Sequence, residues 1–129
     1  MVYKGVIIEE SLHDRDILKQ LKIIGTRVIT ATESHKTPWL KKWTLHTIEI
    51  PDSKADSYAQ CLSRNIDKSH AHSWYVDYMN ATTHYVVFSG RVFKINRKNP
   101  GKGYDEVKAY GLELGIPAHQ LDLSFREIK

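Results

Sequence analysis

Asp77 and His84 stand in a stretch of aromatic and β-branched residues, 69–95, that holds the one polar constellation with recognisable chemistry. A carboxylate that orients an imidazole is a device for proton transfer, and a phenol such as that of Tyr75 would add a hydrogen-bond donor. Whether the two groups meet depends on strand register. Ser89-Gly90 reads as a two-residue hairpin turn, since glycine supplies the positive φ that such turns need. That turn sets Phe88 opposite Arg91, Val86 opposite Phe93 and His84 opposite Ile95. A four-residue loop at 80–83 then sets Met79 opposite His84, Asp77 opposite Val86 and Tyr75 opposite Phe88. Asp77 and His84 become diagonal neighbours on one face of the sheet. An aspartate among apolar strand residues also demands a partner for purely structural reasons. A catalytic pair and a buried structural pair are both open readings, and a one-residue slip would dissolve either.

Two further groups carry candidate chemistry. His70 and His72 lie two apart, so in an extended segment their imidazoles point the same way. Metal sites use such pairs, yet a site needs further ligands, for which His46, Asp77 or His84 are candidates. A polar loop following a helix explains both histidines equally well. Arg97, Lys98 and Lys102 flank Pro100-Gly-Lys-Gly-Tyr104 just before a helix, an arrangement that could draw an anion to backbone N–H groups. The lysine is followed by glycine rather than Ser or Thr, so the segment is not a nucleotide-binding P-loop. A flexible strand-to-helix turn is the plainer reading.

The elements that must position these residues follow from pattern and punctuation. Residues 3–9 and 26–32 are β-branched runs and read as strands. Between them Ser11 and Asp14 form a weak capping signature, and Ile17, Leu18 and Leu21 fall at helical spacing until Gly25 breaks the helix. A polar loop occupies 33–42, and 43–50 is the third strand, ended by Pro51. Asp52 or Ser53 then caps a helix whose apolar stripe is Ala55, Tyr58, Ala59, Leu62 and Ile66. Cys61 lies beside that stripe as a packing residue. Strands at 73–79, 84–88 and 91–95 follow, and a helix over 104–114 presents Val107, Tyr110, Leu112 and Leu114. Gly115, Ile116 and Pro117 supply its stop.

The predicted order is β-α-β, β-α-β, β-β-α. Two successive βαβ units fold back as a ferredoxin-like α+β sandwich. The expected fold is therefore a single α+β domain over residues 1–129. It is a ferredoxin-like βαββαβ sandwich with a mostly antiparallel sheet, extended by a C-terminal β-hairpin and helix. The strands of 73–95 are apolar on both faces, so they are expected to be covered twice, by helices, a partner subunit or a ligand.

Composition narrows the function classes. The 129 residues are 41% hydrophobic and 26% charged, as in a soluble globular domain. No apolar run approaches the roughly 20 residues that span a bilayer, and the N-terminal apolar patch is too short and acidic for a signal peptide. One cysteine excludes an intramolecular disulfide and suits a reducing, cytoplasmic setting. The net charge of +4 permits nucleic-acid binding without requiring it. Trp39 and Trp43 beside Lys36, Lys41 and Lys42 could stack on bases, but the first and third strands lack the aromatic motif of RNA-recognition domains.

Trp74-Tyr75-x-Asp77, His84-Tyr85-x-x-Phe88, Val92-Phe93-Lys94 and Gly111-x-x-x-Gly115-Ile116-Pro117-x-x-Gln120-Leu121-Asp122 resemble the landmarks of a family of short bacterial and archaeal proteins. The resemblance covers most of the chain and implies a compact single domain. It implies no activity, cofactor or partner.

The leading expectation is a small non-catalytic binding or regulatory module, its partner a small ligand, another protein or a second copy of itself. No cofactor, membrane or nucleic acid is expected. An enzyme using Asp77 and His84 with Tyr75 is the alternative. A weak nucleic-acid binder acting through 36–43 and 97–102 is the third.

Overall fold

A computed structural model describes residues 2–12, 15–30, 42–66, 74–114 and 116. The chain is mixed α+β, and among the described residues six strands form one fully antiparallel sheet accompanied by two α-helices. Strands β1 (Val2–Ile8), β2 (Lys22–Thr30) and β3 (Lys42–Pro51) precede helix α1 (Ala55–Asn65). Strands β4 (Tyr75–Met79), β5 (Thr83–Phe88) and β6 (Arg91–Asn96) lead to helix α2 (Gly103–Glu113). Their spatial order is β2-β3-β1-β4-β5-β6. The last hairpin extends the sheet from β4, as its sequence position suggests.

Period-two alternation assigns the faces. Tyr3, Ile7, Ile48, Ile50, Val76, Tyr78, Tyr85 and Val87 share one side, where they form the main core with Ala55, Ala59 and Leu62 of α1. Val86, Phe88, Phe93 and Ile95 occupy the other side and pack against Val107 of α2 and Ile116. Each such side chain taken fully out of water contributes about 1.5–3 kcal/mol. β4 and β5 are therefore the middle layer of a three-layer sandwich. Gly5 makes the β1–β4 contact possible, since a Cβ there would collide with the Asp77 carbonyl oxygen and with Tyr78.

Several elements differ from the sequence-based expectation. The first connection holds two 3-10 turns, Glu9–Ser11 and Arg15–Lys19, where an α-helix was expected. Ile17 and Leu21 are buried as anticipated. The segment has only thirteen residues between β1 and β2, and Leu12 is tied in a β-bridge to Ile66. Too little chain remains to propagate a helix whose nucleation is costly. Gly25 does not end a helix but lies inside β2, next to a register shift between Ile23 and Gly25 that reads as a β-bulge. Ile66 caps α1 in an extended conformation rather than continuing it. No side-chain cap from Asp52 or Ser53 forms; the two belong to a 3-10 turn, Asp52–Lys54. Cys61 is exposed rather than packed. Leu112 also faces solvent, because the buried stripe of α2 runs through Val107 and Gly111.

Candidate functional site

The predicted register of both hairpins holds at every pair: Asp77 faces Val86, and Met79 faces His84, which in turn faces Ile95. The diagonal neighbours meet. His84 Nε2–H donates to Asp77 Oδ2 at 2.8 Å. The other ring nitrogen, Nδ1, lies 3.0 Å from the Tyr104 hydroxyl, which α2 delivers from its first turn. A neutral imidazole protonated at Nε2 accepts from that hydroxyl, and an imidazolium would donate to it. Burial raises the Tyr104 pKa, and the nearby Arg97 guanidinium opposes the rise. Tyr104 therefore keeps its proton at neutral pH and can serve as the donor.

Tyr75 does not take that role. It lies on the same face, yet its ring packs on Phe88 at 5.6 Å between centroids, within the α2-side core. Tyr104 was missed because nothing in a single sequence says which residue of a helix twenty positions away will reach a strand histidine. The constellation is also closed: His84 has 0% exposure and Asp77 only 3%. Both ring nitrogens are satisfied inside the protein, and a substrate has no line of approach to either.

The basic residues do not converge. Arg97 turns inward, where its side chain donates to the Asn80 carbonyl at 2.7 Å and its backbone N–H donates to the Thr82 carbonyl at 2.8 Å. These bonds lock the β6–α2 connection onto the β4–β5 loop, itself held by Asn80 Oδ1 accepting from the N–H groups of Thr82 and Thr83. Lys98 helps to line a surface groove of about 510 Å³ with Thr82, Thr83, Lys94 and Asn96. Lys102 is not part of it and stands exposed at the N-cap of α2.

His70 and His72 lie outside the described residues, as do Lys36, Trp39 and Lys41. His46, suggested as a third metal ligand, lies on the α1 side of the sheet, whereas His84 faces α2. The two cannot share an ion. Among the described residues no group of three or more His, Cys, Asp or Glu side chains is placed to hold a metal. His46 has its own setting: Nδ1 lies 2.8 Å from Thr26 Oγ1, and Nε2 lies 2.9 Å from Glu9 Oε1. Arg15 pairs with the second oxygen of Glu9. Glu10 accepts from both the backbone N–H and the hydroxyl of Thr44. This cluster fastens the first 3-10 turn to β3. Its one legible signal is parity, which puts His46 on the buried side with Ile48 and Ile50.

A third polar group lies by the start of α1. Tyr78 donates to the Ala55 carbonyl, and Tyr85 donates to Asp56 in a short hydrogen bond. Burial raises the pKa of both phenols, and the Tyr85 bond holds Asp56 below its ordinary value.

Burial is distributed unevenly over the sheet. Among the described residues the exposed large hydrophobic side chains are Val2, Val6, Ile23, Ile24, Val28 and Leu112, and all but Leu112 belong to β1 or β2. Those on β1 and β2 are between 37% and 56% exposed. No helix among the described residues is long and apolar enough to cross a membrane. No protein-family model, no curated protein and no solved structure matches the chain.

Proposed function

We propose that this protein is a non-catalytic binding module acting in the cytoplasm, with its binding surface on the β2-β3-β1 half of the sheet. The observation that carries the reading is the concentration of exposed Val and Ile side chains on β1 and β2, against strands β4 and β5, which are buried on both faces. Apolar exposure gathered in one half of a sheet marks an interaction region, here on both faces, with Val2 and Val6 on the Asp77 side and Ile23 and Val28 on the α1 side. The sealed Asp77–His84–Tyr104 chain supports the same reading, because it spends its hydrogen-bonding capacity on holding α2 to the sheet.

The frame is ferredoxin-like under this proposal. The order β2-β3-β1-β4 with antiparallel neighbours is what two interlocked split βαβ units produce. The first unit replaces its crossover helix with 3-10 turns. The missing helix leaves less cover over β2, and the exposed strand is the one whose crossover is reduced.

The test is binding of the apolar dye ANS to the native protein, which reports accessible hydrophobic surface. Dye fluorescence is expected to rise with the folded protein and to fall in the Val6→Lys/Ile23→Lys variant. Leu112→Lys is expected to leave the signal intact. No dye binding, or a signal abolished only by Leu112→Lys, would remove the proposed surface.

A further inference from the structure

The edge of the sheet at β2 has a property that names its partner. β2 is nine residues long, and every residue except the half-buried Ile29 is exposed. Among the described residues no strand pairs with its outer side. Natural sheet edges are normally blunted by short strands and by inserted charges. β6, at the opposite edge, follows that practice with six residues and exposed Arg91 and Lys94. β2 carries only Lys22 and Arg27 among Ile23, Ile24, Val28 and Ile29.

The strand also complements itself. A two-fold axis normal to a sheet brings residues of the same face together, so the pairing of two β2 strands must be centred on a residue. Centring on Thr26 sets Thr26 against Thr26 and Arg27 against Gly25 of the second copy, and brings Val28 to Ile24, the residue that the β2–β3 register skips. Apolar side chains meet, and each guanidinium crosses a residue with no side chain. Centring on Arg27 instead opposes two like charges, which destabilises a cross-strand pair. Centring on Gly25 sets Ile23 against Arg27 and Ile24 against Thr26. Of these three, the Thr26 register alone opposes neither two like charges nor an isoleucine to a guanidinium.

We infer that β2 is the interface of a symmetric homodimer, in which two copies pair antiparallel about Thr26 and the two six-stranded sheets join into one. The inference rests on the binding-module reading and specifies its partner as a second copy of this chain. The bulged residue Ile24 is the limit of the paired segment, because the β2–β3 register passes from Ile23 to Gly25 without it.

Two variants in a Cys61→Ser background test it, since Cys61 is itself exposed. Thr26→Cys places two thiols across the two-fold axis, at the ~4.5–5.5 Å Cα separation of facing antiparallel residues, which a disulfide accommodates. The expected result is a covalent dimer under mild oxidation. Sedimentation should show a dimer that Val28→Lys weakens by roughly tenfold or more, a readily resolved shift in dissociation constant. Val28 is exposed in the protomer, so the lysine leaves the fold intact. A monomer at every concentration overturns the pairing while leaving the dye-defined surface for another partner. A dimer that ignores Val28→Lys and cross-links through Val6→Cys instead of Thr26→Cys overturns the edge pairing but keeps the surface.

Discussion

The two halves of the sheet are built from similar residues and end in opposite states. β4, β5 and β6 lie between α1 and α2, with aromatic side chains on both faces and a histidine–aspartate pair sealed inside. β2 is as rich in β-branched residues, yet solvent reaches nearly all of it. Strand propensity thus reports fitness for a pleated surface and not the presence of a cover. What separates the halves is the connections: the second crossover forms a three-turn helix, and α2 folds back over the last hairpin. The first crossover is a pair of 3-10 turns pinned by Glu9, Glu10 and Arg15.

Substitutions can break or sharpen this contrast. The largest effect is expected from Asp77→Ala, which strands a fully buried His84 without its carboxylate. Removing one partner of such a pair costs about 3–5 kcal/mol, measurable by urea unfolding. Gly5→Ala should follow at about 3 kcal/mol, since its methyl must push apart the strands that join the two halves. A neutral outcome there would mean that the halves are coupled more loosely than the register implies. Tyr104→Phe removes one hydrogen bond from His84 and should cost about 1–2 kcal/mol, with α2 amides losing protection before those of β1. In the exposed half, Glu9→Gln weakens the His46 contact and should cost about 0.5–1 kcal/mol. Equal losses from Glu9→Gln and Asp77→Ala would erase the distinction drawn between the halves.

Alkaline titration gives a spectroscopic version of the same comparison. The phenols of Tyr78 and Tyr85 hold their protons more tightly in the folded protein than in the unfolded chain. The stability this confers is whole below pH ~10, the ordinary tyrosine value, and declines as pH rises beyond it. Phenolate absorbance from these two residues should therefore appear together with unfolding rather than before it. Tyrosines that titrate smoothly in a still-folded protein would contradict their burial.

Much of the covered half was legible in the sequence. Ser89-Gly90 fixed one register, Asn80–Thr83 fixed the next, and alternation then brought Asp77 to His84 without any view of the fold. Local turn chemistry carries that information. The partner of His84 was not legible, because Tyr104 arrives from a helix whose docking angle depends on the whole α2-side core. The exposed half was read less well for a related reason. Ile17, Leu18 and Leu21 have helical spacing, but spacing cannot reveal that the bridge between Leu12 and Ile66 leaves the segment too short to wind. Gly25 looked like a terminator, yet a bulge inside a strand absorbs a glycine equally well. Leu112 showed the limit of apolar counting, since one position along α2 turned it from core to solvent.

The position of β1 has a consequence for how the chain acquires its structure. β1 lies between β3 and β4, so its hydrogen-bonding partners are found some forty to seventy residues further along the chain. The β4–β5–β6 meander, by contrast, closes through loops of a few residues and can form as soon as it is made. During synthesis the run Val6-Ile7-Ile8 waits, unpaired, until β3 has left the ribosome, and the other edge of β1 stays open until β4 follows. β1 precedes both its partners in the chain and is locked on both edges only when the later one arrives. That interval is when the nascent chain is most exposed to aggregation and chaperone capture.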